Sequence, residues 1–283
     1  MITILINEHC ELGENPLWRP EDGCLYWTDI AGGKVHRLCA ATKEHRVIYS
    51  GEKVGGFTFQ ENGDLLLCRV RDLALLRKDG RVDVAREFAD EGMERFNDVI
   101  ADPEGRVFAG TIGTTATSGG LYRVDHHGAI QLLFRGTGCS NGMGFSPDLR
   151  TFYWTCSTRR RICAFDYDRA TGHLAGERVL YEAGAEEGIP DGLTVDADGH
   201  IWSARWDGFA VVHHAPDGSV VERFTFPVAK VTSLCFGGPN LDQFFVTTAG
   251  GKSDDPGDDG TVYQWSAGVR GPAEFKSRIL SGV

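Results

Sequence analysis

Residues 141–156 read NGMGFSPDLRTFYWTC, which is a polar start, a short apolar strand, a turn containing Pro and Asp, and a second apolar strand. The same order recurs five more times along the chain, starting at Glu14, Gly55, Asn97, Asp191 and Ser233. The six starting residues, taken in chain order, are 41, 42, 44, 50 and 42 positions apart. A repeat of about 40–50 residues built from short strands is typical of the blades of a β-propeller.

Further strand-like segments follow the first two in each repeat, and they complete four strands per unit. The sixth repeat is the exception, because no clear strand follows TVYQW at 261–265, while MITILI at 1–6 has no partner of its own. Pairing these two segments would remove both exposed edges. We therefore predict an all-β fold over residues 1–283: a single six-bladed β-propeller domain with four-stranded blades, its ring closed by the N-terminal strand.

The composition agrees with this fold and excludes several partners. The chain has 37 glycines among 283 residues, as expected where many tight turns require positive φ. It carries 40 acidic and 29 basic residues, a formal net charge of −11, which argues against binding to nucleic acid or to an anionic membrane. No apolar run approaches the roughly 18 residues of a membrane-spanning helix. We predict a monomer or weak homo-oligomer that acts on a small molecule.

The eight cysteines form no CxxC pair, and a chain with so large a core does not need disulfides. We therefore expect reduced thiols packed as small apolar side chains. The N-terminal MITILINEHC lacks a basic region and a cleavage site, so no signal peptide is expected. A cytoplasmic location is the resulting prediction.

The residues that start the repeats indicate a metal site. In a propeller, equivalent positions of different blades face one another around the central channel, and Glu14, Asn141 and Asp191 all carry an oxygen ligand there. Carboxylates that meet in a narrow channel require a counter-charge. One divalent cation would satisfy all three residues. The oxygen set fits Ca²⁺, Mg²⁺ or Mn²⁺, and less closely Zn²⁺ or Fe²⁺.

The same regions carry a resemblance to the SMP-30/gluconolactonase family, which includes regucalcin and bacterial sugar lactonases. Five stretches match in collinear order: LGENPLW at 12–18, RFND at 95–98, SNG at 140–142, IPDGL at 189–193 and TSLCFGG at 232–238. The resemblance implies a six-bladed propeller with one central divalent metal held by Glu14, Asn141 and Asp191. It also implies that Arg95 and Asn97 hold oxygens of the substrate.

The activity implied by the resemblance is the metal-dependent hydrolysis of a sugar (aldono-) lactone to the aldonic acid. Asp191 is the ligand best suited to act also as the general base. Relatives often carry an acidic pair after the GT of the third blade, whereas this chain has Thr114 and Thr115 after GTIG. These two threonines are therefore candidate substrate-binding residues, and the departure leaves open which lactone is bound.

Two other functions stay open. A related metallo-propeller esterase would act on phosphotriesters or bulky lactones and should have an apolar channel mouth, whereas Arg95, Asn97, Thr114 and Thr115 predict a hydrophilic one. A calcium-binding propeller without catalytic activity is the other alternative. Motifs of other hydrolases, GxSxG and HExxH, do not occur in the sequence.

Two further features have an ordinary structural interpretation. The acidic stretch KSDDPGDDG at 252–260 does not follow the EF-hand order and is predicted to be an exposed insertion. The six tryptophans are predicted mainly to pack between blades. The mouth of the channel is an alternative position for Trp206, which follows an inner strand.

Overall fold

The protein was analysed as a computed structural model that describes residues 1–250 and 259–280. Most of the acidic stretch at 252–260 lies outside the described residues. The described chain is almost entirely β-strand, since alternating apolar residues between Gly, Asp and Pro turns favour short antiparallel strands. The one helical element described is a 3-10 turn at Ala185–Glu187. The described residues contain no helix that is long and apolar enough to cross a membrane.

The first half of the chain forms an N-terminal strand and three four-stranded antiparallel sheets. The N-terminal strand is β1 (Thr3–Ile6). Blade one contains β2 (Gly13–Arg19), β3 (Cys24–Asp29), β4 (Lys34–Cys39) and β5 (His45–Ser50). Blade two contains β6 (Gly56–Phe59), β7 (Leu65–Cys68), β8 (Asp72–Leu76) and β9 (Val82–Glu87). Blade three contains β10 (Met93–Ala101), β11 (Val107–Gly113), β12 (Gly119–Val124) and β13 (Ile130–Thr137).

The second half repeats this plan and completes the ring. Blade four contains β14 (Ser140–Phe145), β15 (Thr151–Cys156), β16 (Arg161–Asp168) and β17 (His173–Glu182). Blade five contains β18 (Ile189–Val195), β19 (Ile201–Trp206), β20 (Ala210–His214) and β21 (Val220–Thr225). Blade six contains β22 (Val231–Gly237), β23 (Gln243–Thr248) and β24 (Val262–Trp265), with β1 as its fourth strand.

The predicted six-bladed propeller and its closure by the N-terminal strand are confirmed. Strand β1 pairs antiparallel with β24, with Thr3 opposite Gln264 and Ile4 opposite Tyr263. The innermost strands β2, β6, β10, β14, β18 and β22 contact one another in that cyclic order, and β22 returns to β2. They therefore surround a central channel.

The hydrophobic core is divided among the interfaces between blades, and each of the six interfaces has its own cluster of buried side chains. Between blades one and six, for example, Trp18 and Trp27 pack with Cys235 and Phe245. Five of the six tryptophans are buried in this way, as predicted: Trp18, Trp27, Trp154, Trp202 and Trp265. Burying these faces fixes the angle between neighbouring blades and so the positions of the inner strands.

One expectation about the cysteines needs correction. Cys24 and Cys39 lie directly opposite each other on β3 and β4 and are joined by a disulfide. Cross-strand pairing brought together two residues that are 15 positions apart in sequence, without any CxxC motif. The other six cysteines are free, and five of these six are buried.

A C-terminal tail, residues 266–280, lies across the face opposite the starts of the inner strands. Backbone hydrogen bonds join it to several blades: Ala197 N to Arg270 O, Gly271 N to Leu241 O, Ser277 N to Phe59 O and Leu280 N to His126 O. Residues 271–275 of the tail form one wall of a cavity of about 340 Å³, whose other walls are later residues of the inner strands such as Leu17 and Met143. The tail therefore covers this end of the channel.

Candidate metal and substrate site in the central channel

The predicted metal ligands meet in one cavity at the other end of the channel. This cavity has a volume of about 380 Å³ and is lined by Glu14, Asn141 and Asp191 together with Arg95 and Asn97. All five side chains are at most 9% exposed. They come from the starts of β2, β10, β14 and β18, because equivalent ends of the inner strands face the same side of the ring.

A β-bulge lies at the site in each of these four strands. The pairing register shifts between Glu14 and Leu17, Phe96 and Val99, Asn141 and Met143, and Pro190 and Leu193. A bulge inserts an extra residue and turns the strand locally, so it can aim a polar side chain at the channel while the rest of the strand keeps its register.

Hydrogen bonds fix the orientation of Asn141. Its Nδ2 donates to Asp191 Oδ1 in a short contact and to Ser157 Oγ at 3.2 Å. Its Oδ1 is buried and has no hydrogen-bond partner. A buried amide oxygen without a donor is costly, and a cation would supply the missing partner.

The two carboxyl groups carry an unbalanced charge in the channel. Burial, followed by the charges of Asp191 and Asp98, raises the pKa of Glu14 well above its ordinary value. Burial, followed by the charge of Asp98, does the same for the pKa of Asp191. The guanidinium of Arg95 partly offsets both, and burial lowers its own pKa. When both carboxyl groups are ionised, their two negative charges outweigh the one guanidinium, which is why ionisation is costly without a further cation.

This donor set fits a hard divalent cation. It consists of two carboxylates and an amide oxygen, which are the ligands that Ca²⁺, Mg²⁺ and Mn²⁺ prefer. The unpartnered Asn141 Oδ1 and the electrostatic penalty on Glu14 and Asp191 are the features that a cation would relieve.

Arg95 and Asn97 form a connected pair beside these ligands. Arg95 Nη1 donates to Asn97 Oδ1 at 2.7 Å and to the backbone oxygen of Phe96 at 2.9 Å. Asn97 Nδ2 donates to the backbone oxygen of Ser140 at 3.0 Å, which ties blade three to blade four. Because both bonds of Arg95 use Nη1, its Nη2 takes no part in them, and the side chain is held in place without occupying the whole guanidinium.

The structure places Thr114 and Thr115 apart from this group. They are exposed in the loop between β11 and β12, are not among the residues lining the cavity, and interact locally with Ser118, to which the Thr115 backbone N–H donates at 2.9 Å. Ile112, two residues before Thr114, lines the cavity instead. Contact of these threonines with a substrate stays a prediction.

The cavity wall is more apolar than the sequence suggested. Leu12, Ile112, Ile189 and Trp206 line it, so Trp206 occupies the position at the mouth that was the alternative for it. The polar groups are concentrated among the inner-strand residues. These four apolar side chains are half-buried, whereas the five polar ones are buried, so a ligand meets an apolar rim before the polar base.

Sequence reasoning did not identify Ser157, Thr158 and Cys139 as cavity residues. Ser157 and Thr158 follow the end of β15, and Trp206 ends β19. In an antiparallel blade the end of the second strand lies beside the start of the first. That rule could have located Ser157, Thr158 and Trp206 from the repeat alone. Burial, followed by the charge of Asp191, raises the pKa of the Cys139 thiol to about 12.

Several known proteins are similar to this chain in sequence or in structure. The profile of the SMP-30/Gluconolactonase/LRE-like region matches residues 12–250. A pentonolactonase of Haloferax volcanii is 39% identical, and the alignment covers 99% of both chains. Human regucalcin is 32% identical over 90% of this chain and 89% of its own. The solved structure of a calcium-binding protein, regucalcin, from Agrobacterium tumefaciens superimposes with a TM-score of 0.91 at 27% identity, covering 98% of this chain and 97% of that one.

Proposed function

Because this chain belongs to the SMP-30/gluconolactonase/LRE-like family, we propose that it is a lactonase that hydrolyses a sugar lactone with the help of one divalent cation. The observation that carries the proposal is the meeting of Glu14, Asp191 and the unpartnered Asn141 Oδ1 in one cavity. A relative that aligns over almost its whole length and is named a pentonolactonase supports an aldonolactone as the substrate class.

Glu14, Asn141 and Asp191 would hold the cation. A divalent cation, when bound, polarises a carbonyl oxygen and lowers the pKa of a water molecule. The hydrogen bonds from Asn141 Nδ2 to Asp191 and Ser157 keep Asn141 Oδ1 directed away from those partners and available as a ligand.

The remaining chemistry falls to the side chains. Asp191 accepts a proton from water as the water oxygen attacks the lactone carbonyl carbon. The bond between that carbon and the ring oxygen then breaks, and Asp191 returns its proton to the ring oxygen, which becomes a hydroxyl group. The product is the open-chain aldonic acid, which ionises and releases one proton to the solution.

Substrate orientation is the proposed role of Arg95 and Asn97. The guanidinium of Arg95 is fixed through Nη1, so its other donors can form forked hydrogen bonds with substrate oxygens. Thr114 and Thr115 would contact the substrate only if their loop came closer to the mouth, since both are exposed beyond the cavity. The apolar rim of Leu12, Ile112 and Trp206 would cover the less polar face of a sugar ring.

The test is a panel of pentono- and hexonolactones, assayed by acid release after chelation and reloading with Ca²⁺, Mg²⁺, Mn²⁺ or Zn²⁺. Asp191→Asn should lower kcat/KM by at least about 100-fold, the lower range for loss of a general base, and should weaken cation binding measured by calorimetry. Asp79→Asn, which changes an exposed carboxylate, is the matched control. Full chelator-sensitive activity in Asp191→Asn would overturn the proposal.

Two observations support alternative functions, which the same experiment can distinguish from the proposed one. The calcium-binding relative of known structure supports Ca²⁺ binding, and a propeller that binds Ca²⁺ without catalysis is the second candidate. In that case Ca²⁺ would bind while every lactone stayed intact. The apolar rim favours an esterase acting on phosphotriesters or bulky lactones, and faster hydrolysis of paraoxon than of any aldonolactone would support it.

A further inference from the structure

A second group of metal-ligating side chains lies outside the central channel, between blade one and blade six. The donor atoms of Cys10, Asp29 and His36 all lie within 4.8 Å of one another. The three residues are 1%, 6% and 1% exposed. They come from the segment before β2, the end of β3 and the third residue of β4, and none of them lines the channel cavity.

His36 has a buried nitrogen without a partner. Its Nδ1 lies 3.0 Å from His45 Nε2, whereas its Nε2 is buried and makes no hydrogen bond. His45 Nδ1 lies 3.4 Å from the carboxylate of Glu8. When a neutral His45 directs its Nδ1–H at Glu8, its Nε2 must accept a hydrogen bond from His36. This arrangement places the lone pair of His36 on Nε2.

The ring of His36 is also held in position and is uncharged. It stacks on the indole of Trp27 with 4.9 Å between centroids and 7° between planes. Burial, followed by the charge of His45, lowers the pKa of His36 to about 4. Burial therefore favours the neutral imidazole, which is the form that binds metals.

Cys10 and Asp29 are held by neighbouring groups that would support a bound cation. Trp27 Nε1 donates to Cys10 Sγ at 3.4 Å. Asp29 Oδ1 accepts the backbone N–H groups of Leu12 and Gly32, and its Oδ2 accepts that of Glu11, so lone pairs remain on the carboxylate. Outer hydrogen bonds of this kind orient ligands and tune their basicity.

We propose that Cys10, Asp29 and His36 form a second metal site, selective for Zn²⁺ and similar transition-metal dications. Sulfur, imidazole nitrogen and carboxylate oxygen are the ligand types of zinc sites, and Ca²⁺ and Mg²⁺ do not favour thiolate or imidazole. On binding, the Cys10 S–H bond breaks, its proton leaves to solvent, and a sulfur–metal bond forms. One thiolate and one carboxylate then balance the two positive charges, as a buried site requires.

This site is independent of the proposed lactonase activity, and its donor chemistry provides a separate signal. The chelated full-length protein is titrated with Co²⁺, which substitutes for Zn²⁺ and gives a thiolate-to-cobalt charge-transfer band in the near ultraviolet. The channel ligands Glu14, Asn141 and Asp191 are all oxygen donors and give no such band. We expect the band in the wild-type protein, and we expect Zn²⁺ but not Ca²⁺ to abolish it.

The variants locate the thiolate. Cys10→Ser should lose the band, whereas Cys139→Ser, which alters the thiol in the channel cavity, and Asp191→Asn should keep it. His45→Asn removes only the outer partner of His36 and should weaken Zn²⁺ binding about 10- to 100-fold without removing the band. Circular dichroism checks folding, and Cys10→Ala replaces Cys10→Ser if the latter does not fold.

Two outcomes would overturn the proposal. One is that the wild-type protein gives no charge-transfer band. The other is that the band persists in folded Cys10→Ser and disappears in Cys139→Ser, which would assign the thiolate to the channel.

Discussion

Arg95 shows how one side chain can be held in place while part of its guanidinium is not used in doing so. One of its terminal nitrogens is used by Asn97 and the Phe96 backbone, and burial lowers the pKa of the guanidinium. A planar guanidinium can make these bonds and also reach a ligand, whereas an ammonium group is a single point of charge.

Arg95→Lys should therefore raise KM about tenfold or more on the best lactone and change kcat less, because charge is kept but the forked geometry is lost. Steady-state kinetics measures both constants. Arg159→Lys, at an exposed arginine on the loop after β15, is the control and should leave both constants unchanged. An unaltered KM in Arg95→Lys would remove Arg95 from substrate binding.

The meeting of Glu14, Asn141 and Asp191 in the channel could be predicted from the sequence because each one starts a repeat, and equivalent positions of a ring converge. Cys10, Asp29 and His36 could not be predicted in this way. They are 19 and 7 residues apart, match no metal-binding spacing, and meet only because β3 pairs with β4 and the segment before β2 packs beside them. Of the apolar rim, only Trp206 was considered for the mouth. Leu12 and Ile189 lie in the matching stretches at 12–18 and 189–193, but an apolar residue at a strand end carries no sign that it lines a channel rather than the core.

At the scale of the strands, close contact between neighbouring inner strands sets the positions of the ligands. A Cβ atom on Gly142 would lie 2.4 Å from the backbone nitrogen of Leu193 and 2.6 Å from the backbone oxygen of Asp191. Gly142 is also the residue at which the register of β14 shifts. A larger residue there must push away the strand that carries Asp191.

We expect Gly142→Ala to lower the free energy of unfolding by about 1–3 kcal/mol, the usual cost of overpacking, and to weaken cation binding in the channel because Asp191 is displaced. Chemical denaturation and calorimetry measure the two effects. Gly184→Ala is the control, because Gly184 has a φ of −63° and the nearest atom to an added Cβ is a carboxylate oxygen of the Glu187 side chain. Unchanged stability and cation binding in Gly142→Ala would contradict this account of the strand contact.

The repeat predicted the blades and their order, but it did not predict the bulges that aim the ligands. A bulge depends on how two strands pair and leaves no fixed spacing in one strand's sequence. The match between the starting residues Glu14, Asn141 and Asp191 was visible in the sequence, whereas the mechanism that turns these side chains toward the channel was visible only in the pairing register.

At the scale of the whole molecule, the tail brings a carboxyl group to the far end of the channel. Glu274 in the tail and Asp98 on β10 line the same cavity. Burial, followed by the charge of Asp98, raises the pKa of Glu274 to about 7, and burial raises the pKa of Asp98 to about 7. Charging these groups in the folded protein therefore costs free energy.

This cost predicts how stability depends on pH. A carboxyl group with a higher pKa in the folded state binds its proton more tightly there, so its contribution is full below the unfolded value of about 4.3 and is lost as pH rises to about 7. Glu274→Gln should reduce that loss by on the order of 2 kcal/mol between pH 5 and pH 8.5. Urea unfolding at both pH values measures it. Glu177→Gln, at an exposed position, is the control, and equal slopes in all three proteins would contradict the prediction.

The tail that lies across the far face has a consequence for how small molecules enter and leave the channel. Among the described residues, 271–275 cover the far end of the channel, so the opening beside Trp206 is the route we expect for both entry and exit. On the proposed lactonase activity, a product formed at Asp191 leaves along the route by which the next substrate enters. Product and substrate therefore compete for one passage. We expect inhibition of this protein by its own product to be competitive with the substrate.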